Sequence, residues 1–170
     1  PSSSSAASDV YKRQGICHAS YLRPLLNLKV GYLTFGASTC SGLRHFQADS
    51  HLISWLNFEN IKFDILTDEE IHNEQFDSLK RYKTVMTTTH PEYHTKETLN
   101  SFHKFKENGG NLIYLGGNGF YWKVCLNKEN SKIVEIRRAE DGIRAWASEP
   151  GEYYNAFDGS YGGLWRRNGI

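Results

Sequence analysis

Thr89-His90-Pro91-Glu92-Tyr93-His94 is the stretch whose residue types and spacing most favour chemistry. It gathers a carboxylate, two imidazoles and a phenol. Pro91 disfavours helical geometry at His90. The stretch is therefore not the helical HExxH zinc motif, and its glutamate also stands one place too late for that. A turn can still aim His90 and Glu92 at one point. Glu92 is then a candidate oxygen ligand for a hard metal ion. His90 is a candidate general base, or a group that orients a water. The plainer alternative is a polar lead into a helix, with Glu92 drawn to its positive end.

Gly116-Gly117-Asn118-Gly119-Phe120-Tyr121-Trp122 is the second candidate. Its glycines let backbone approach a ligand closely. Asn118 offers both a donor and an acceptor, which suits recognition of an amide. Tyr121 and Trp122 can wall an apolar pocket. The competing reading is a tight turn followed by a core aromatic patch. The dinucleotide pattern GxGxxG is not met. Thr39-Cys40-Ser41-Gly42 places a thiol in a loop, where it could serve as a nucleophile. A buried or incidental thiol fits better. Amidotransferase glutaminases carry that cysteine in a sharp elbow after a later strand, the position held here by His90-Pro91-Glu92. The loop from Gly36 to Gly42 also lacks the Gly-Lys-Ser/Thr ending of a P-loop. Arg144-Ala145-Trp146 through Tyr153, and Gly162-Gly163-Leu164-Trp165-Arg166-Arg167, are dense in Trp, Tyr and Arg. Such residues anchor interfaces more often than they catalyse.

The elements that must position these groups follow from periodicity. Lys29 to Phe35, Ile61 to Leu66, Lys83 to Thr88, Asn111 to Leu115 and Ile133 to Arg137 read as strands. Leu52, Ile53 and Leu56 share a helical face, with Asp49 or Ser50 as its cap. Thr67 and Glu70 form a capping box, with Ile71, Phe76 and Leu79 on the helix that follows. Thr95 caps a helix carrying Leu99, Phe102 and Phe105, which Asn108-Gly109-Gly110 ends. Strand and helix alternate at short spacing. The expected fold class is α/β, a mostly parallel sheet with helices on both faces, flavodoxin-like or class I glutamine amidotransferase-like. Ligands then sit beyond the carboxyl ends of the strands, where both motifs fall.

Composition narrows the function classes. The 170 residues carry a formal net charge of +1 and are 39% hydrophobic, which suits one core. Near-neutral charge argues against a nucleic-acid partner. The apolar runs are too short to span a bilayer, so no membrane partner is expected. Cys17, Cys40 and Cys125 form no CxxC pair, so a reducing cytoplasm is the expected compartment. Residues 1–14 are Ser-rich and low-complexity, and then read like translated adapter. They are expected to be a non-native or disordered tail. Residues 15–170 are expected to be one amidotransferase-like domain, truncated at its C-terminal end.

Taken together, these motifs resemble the large subunit of N,N-dimethylformamidase. The resemblance rests on Leu33-Thr34-Phe35 with Ser41-Gly42-Leu43-Arg44-His45-Phe46, on His90-Pro91-Glu92-Tyr93, and on Leu115 through Trp122. Arg144-Ala145-Trp146 with Glu149-Pro150-Gly151-Glu152-Tyr153, and Gly162-Gly163-Leu164-Trp165-Arg166, complete it. It implies hydrolysis of small N-alkyl formamides to amine and formate at a mononuclear Fe(III) held by two tyrosines and a glutamate. On that resemblance Glu92 is the metal-ligating glutamate, His90 the catalytic histidine, and Asn118 lies at the substrate, with Tyr121 beside it. The tyrosine ligands are expected upstream of Gly15, and a further catalytic glutamate downstream of Ile170. The adapter-like stretch leaves Tyr11 unassigned. A small subunit and further copies of the large one are the implied partners. The alternative function is a non-catalytic amidotransferase-like module binding a small molecule or carbohydrate.

Overall fold

The computed structural model describes residues 17–23, 46–130, 132–137 and 153–169. The expected strand from Lys29 to Phe35, the Cys40 loop, the tail 1–14 and the segment from Arg144 to Glu152 lie outside the described residues. In chain order the elements are β1 (His18–Ser20), α1 (Phe46–Phe58), α2 (Asp68–Glu74), α3 (Phe76–Leu79), β2 (Thr84–Met86) and β3 (Tyr93–His94). They continue with α4 (Lys96–Glu107), β4 (Asn111–Ile113), β5 (Trp122–Leu126), β6 (Ile133–Ile136) and a 3-10 turn, Trp165–Arg167. No helix among the described residues is long and apolar enough to cross a membrane.

Local chemistry sets the helices. Thr67 Oγ1 accepts the Glu70 amide at 3.2 Å, and Glu70 Oε2 accepts the Thr67 amide at 2.7 Å, so the expected capping box starts α2. Gln75 then takes φ 54°, ψ −136°, which breaks the expected single helix into α2 and α3. Thr95 Oγ1 accepts the Thr98 amide at 3.2 Å and caps α4. At the far end Gly109 takes φ 84°, the left-handed turn that glycine accepts without steric cost. Asp49 lies inside α1 instead of capping it.

The expected parallel sheet is not what forms. A four-stranded sheet in the order β1-β6-β5-β3 has antiparallel β1/β6 and β5/β6 pairs, and only β3/β5 is parallel. A separate two-stranded parallel sheet joins β2 to β4, with Val85 opposite Leu112. The fold is thus mixed, with its larger sheet mostly antiparallel. It is not flavodoxin-like or amidotransferase-like. The physical reason lies after β4. No helix carries the chain back across the sheet. Residues 114–121 lead straight into β5, and a tight turn held by Asn127 Oδ1, which accepts the Glu129 and Asn130 amides at 2.9 and 2.8 Å, reverses it into β6. Among the described residues, the parallel pairs β2/β4 and β3/β5 keep the crossover through α4 that strand–helix alternation implies. Residues 61–66 form no strand among the described residues, and Ile65 is exposed.

Two packing centres result. Ile71, Leu79, Phe102 and Phe105 bury against Leu66, Phe76, Val85, Leu112 and Phe120, joining α2, α3 and α4 to the small sheet. Trp122, Val124, Leu126, Leu164 and Trp165 are buried about β5. The second centre reveals what the motif reading missed. Trp122-Lys123-Val124-Cys125-Leu126 is a strand buried at every position, so it shows no alternation.

Candidate functional site

Two segments distant in sequence run side by side twice. They pair in parallel as β2 and β4, separate, and pair in parallel again as β3 and β5. Between the pairings lie residues 87–92 on one segment and 114–121 on the other. These intervals hold both motifs. The small parallel sheet opens both on the same edge, as expected for loops that follow adjacent parallel strands.

Backbone bonds stitch the two intervals together. The Phe120 amide donates to Pro91 O at 2.8 Å, and the Tyr121 and Trp122 amides donate to Glu92 O at 3.1 and 2.8 Å. Phe120 has φ 52°, rare for a residue with a bulky side chain, and its ring stacks on His94 at 5.2 Å. His94 Nε2 donates to Pro91 O at 2.9 Å, since a carbonyl only accepts. The His94 ring is buried, and its Nδ1 has no hydrogen-bond partner among the described residues. Burial pushes the imidazole below its ordinary pKa of 6.5, against the opposite pull of Asp68 and of the bond to Pro91. The second histidine of the motif is therefore a neutral structural pin.

His90 and Glu92 behave differently. They keep 20% and 18% of their side-chain surfaces exposed, with His90 Nε2 3.8 Å from Glu92 Oε2. From the other interval, Asn118 Nδ2 reaches Glu92 Oε1 at 3.4 Å. The Glu92 carboxylate thus turns toward His90 and Asn118. Thr95 caps α4, and the acidic residue of that helix's first turn is Glu97. The plainer helix-lead reading of Glu92 has no support here. Tyr121 is exposed and meets Trp122 edge-on, with ring centroids 5.2 Å apart. Its backbone, bonded to Glu92 O, fixes it at the border of the group.

Gly117 explains why the second motif needs glycine. It takes φ 77°, and a Cβ there would stand 2.4 Å from both His90 Nδ1 and the Thr89 carbonyl oxygen. Tyr114 Oη donates to Gly117 O and holds the loop in place. The glycine interval therefore lies flat against the histidine turn.

Among the described residues no three His, Cys, Asp or Glu side chains gather as a metal-binding group. Glu92 can still supply one hard anionic oxygen, because its hydrogen bond to Asn118 is long and leaves lone pairs to share. Cys125 is buried, and burial raises its thiol pKa well above the ordinary value, so it is not a nucleophile. A cavity of about 240 Å³ lies elsewhere, between Val124, Leu126, Val134 and Ile136 of the larger sheet and His72, Thr95 and Thr98.

From sequence Asp49 reads only as a helix cap, which misses its bonds to the turn. Asp49 Oδ1 accepts the Thr89 amide at 2.8 Å and the Thr89 hydroxyl at 2.9 Å. An aspartate within a helical pattern gives no local signal of a partner so far along the chain.

Comparison with known proteins agrees with the motifs. The family model described as "N,N-dimethylformamidase beta subunit-like, C-terminal" matches residues 3–170. N,N-dimethylformamidase beta subunits of Paracoccus aminophilus and of Alcaligenes sp are 35% and 34% identical to the chain. Each match runs over 154 residues, 90% of this chain and 19% of the relative. The chain therefore spans about a fifth of the length of these relatives.

Proposed function

Since the chain belongs to the N,N-dimethylformamidase beta subunit-like, C-terminal family, we propose that it forms one region of a hydrolase of small N-substituted formamides. N,N-dimethylformamide is the proposed substrate, and an amine and formate the products. The observation that carries this reading is the meeting of His90, Glu92 and Asn118 from two separate intervals.

Each group has a task that fits its chemistry. Asn118 presents an amide to an amide, donating its Nδ2 N–H to the substrate carbonyl. Tyr121 gives an exposed aromatic wall for N-alkyl groups. His90 takes a proton from the attacking water and returns it to the nitrogen as the C–N bond breaks. Glu92 would hold iron through one carboxylate oxygen, and a hard anionic donor suits Fe(III). When bound, the iron supplies Lewis acidity to the carbonyl and to a water. Further ligands, a small subunit and further copies of the large subunit belong to this proposal. The relatives' printed names describe them as subunits, which supports an assembly.

The test compares the native protein, full length and assembled with its partner subunits, with its Glu92→Gln variant. Iron per chain, hydrolysis of N,N-dimethylformamide and the thermal midpoint are measured together. The variant is expected to lose most of its iron and activity at an unchanged midpoint. Full iron occupancy in the variant would remove Glu92 as a ligand. A native protein without formamide hydrolysis would refute the reading itself.

A further inference from the structure

We infer that Asp49 is a positioning residue for the His90–Glu92 turn, acting through Thr89. The inference rests on the proposed chemistry of His90 and Glu92. Both Thr89 bonds, at 2.8 and 2.9 Å, end on one oxygen of Asp49, and they link residues 40 apart in sequence. They join a helix to the residue directly before His90. Bonds to a charged acceptor are roughly twice as strong as neutral ones.

The geometry shows what the two bonds accomplish. Pro91 restricts the His90 backbone. Beyond it, Pro91 O is held by the Phe120 amide at 2.8 Å and by His94 at 2.9 Å. The far side of His90 is thus fixed by the β3/β5 region. The near side, at the Thr89 amide, is fixed by Asp49. Thr89 O also forms part of the surface that Gly117 abuts, where a Cβ would meet it at 2.4 Å. If Thr89 moves, the carbonyl that Gly117 packs on and the base of the His90 side chain move together. α1 therefore sets the position of a turn to which it contributes no reacting group.

The experiment uses the native assembled protein with N,N-dimethylformamide as substrate. Asp49→Ala, Asp49→Asn, Thr89→Val and His90→Ala are compared. Asp49→Ala is expected to lower kcat about 10- to 100-fold, the range typical for removing a group that orients an active-site residue, with KM within about twofold. Amide hydrogen exchange at Thr89 should quicken in the same variant. Asp49→Asn keeps an oxygen that accepts both bonds, so it should restore most of kcat and slow exchange. Added to His90→Ala, Asp49→Ala should cost little more, because residues acting as one unit are not additive. If Asp49→Ala fails to fold, Thr89→Val removes one bond only and should lower kcat about 3- to 10-fold. Unchanged kcat in Asp49→Ala, or Asp49→Asn as damaging as Ala, overturns the inference while His90→Ala is inactive. A fully active His90→Ala instead overturns the reading of the site on which the inference rests.

Discussion

Two regions of this molecule collect ionisable side chains, and they treat them in opposite ways. Around β6, Glu135 is fully buried. It accepts Arg137 Nε at 2.7 Å and the Ala156 and Phe157 amides at 2.8 and 3.0 Å, with His18 Nε2 at 3.6 Å. Beside it, buried Lys123 pairs with Asp158 at 3.3 Å, bonds Ser160, and lies over the Trp165 ring at 5.5 Å. Both Glu135 oxygens receive short, directed donors, as buried charge requires. At the crossovers, Glu92 keeps part of its surface open and among the described residues its carboxylate is met at 3.4 and 3.8 Å. A saturated carboxylate fastens a loop. The Glu92 carboxylate makes longer contacts, and on the proposed function it is the one left to meet a ligand.

That contrast can be broken most forcefully at Glu135. Glu135→Ala removes the carboxylate that the half-buried Arg137 bonds and strands two amides. It should cost about 3–5 kcal/mol of stability, the range for breaking a buried pair, read as a lowered midpoint in thermal or denaturant unfolding. A loss under about 1 kcal/mol would mean that the loop 153–160 is held by something else.

Gly117→Ala probes the open region. It forces a side chain into a left-handed backbone position and into the Thr89 carbonyl. Strain of about 1–3 kcal/mol is expected, released by shifting the turn. Formamide hydrolysis should therefore fall more than stability does. Intact hydrolysis in Gly117→Ala would show that His90 need not sit where the loop places it.

Acidification should separate the two regions more gently. His94 has a folded pKa below its ordinary 6.5. The unfolded chain then binds the extra proton first, so stability is complete above pH 6.5 and declines as pH falls below it. Asp158 is the opposite kind of group. Burial alone would raise its pKa. The bonds from Ser160 and Cys125 and the charge of Lys123 outweigh that and bring it from 3.8 to about 2. Its contribution is present above pH 3.8 and is lost as pH falls toward about 2. Hydrogen exchange followed against pH should show the residue 91–94 turn loosening first and the 156–160 loop later. The reverse order would contradict the assignment of His94 as a neutral pin.

What the sequence determined by itself is local. The Thr67–Glu70 box, the Thr95 cap, the Asn108-Gly109 stop and the burial of Phe102 and Phe105 depend on neighbours within a turn or two, and each formed as expected. The residue types at His90, Glu92 and Asn118 also marked the candidate group, because imidazole, carboxylate and amide carry recognisable chemistry wherever they fall. Tertiary structure alone decided the rest. Alternation of strands and helices suggested one parallel sheet, but pairing direction depends on whether a crossover or a tight turn joins two strands, and the turn at Asn127 joined β5 to β6 without a helix. The strand Trp122–Leu126 stayed hidden because burial on both faces erases period-two alternation. Nothing local distinguished His94 from His90. One is packed against Phe120 and neutral, the other faces Glu92, and only the second parallel pairing at Tyr93 and Trp122 separates them. The partner of Asp49 was invisible for the same reason, since a hydrogen bond across 40 residues exists only once the chain has folded back on itself.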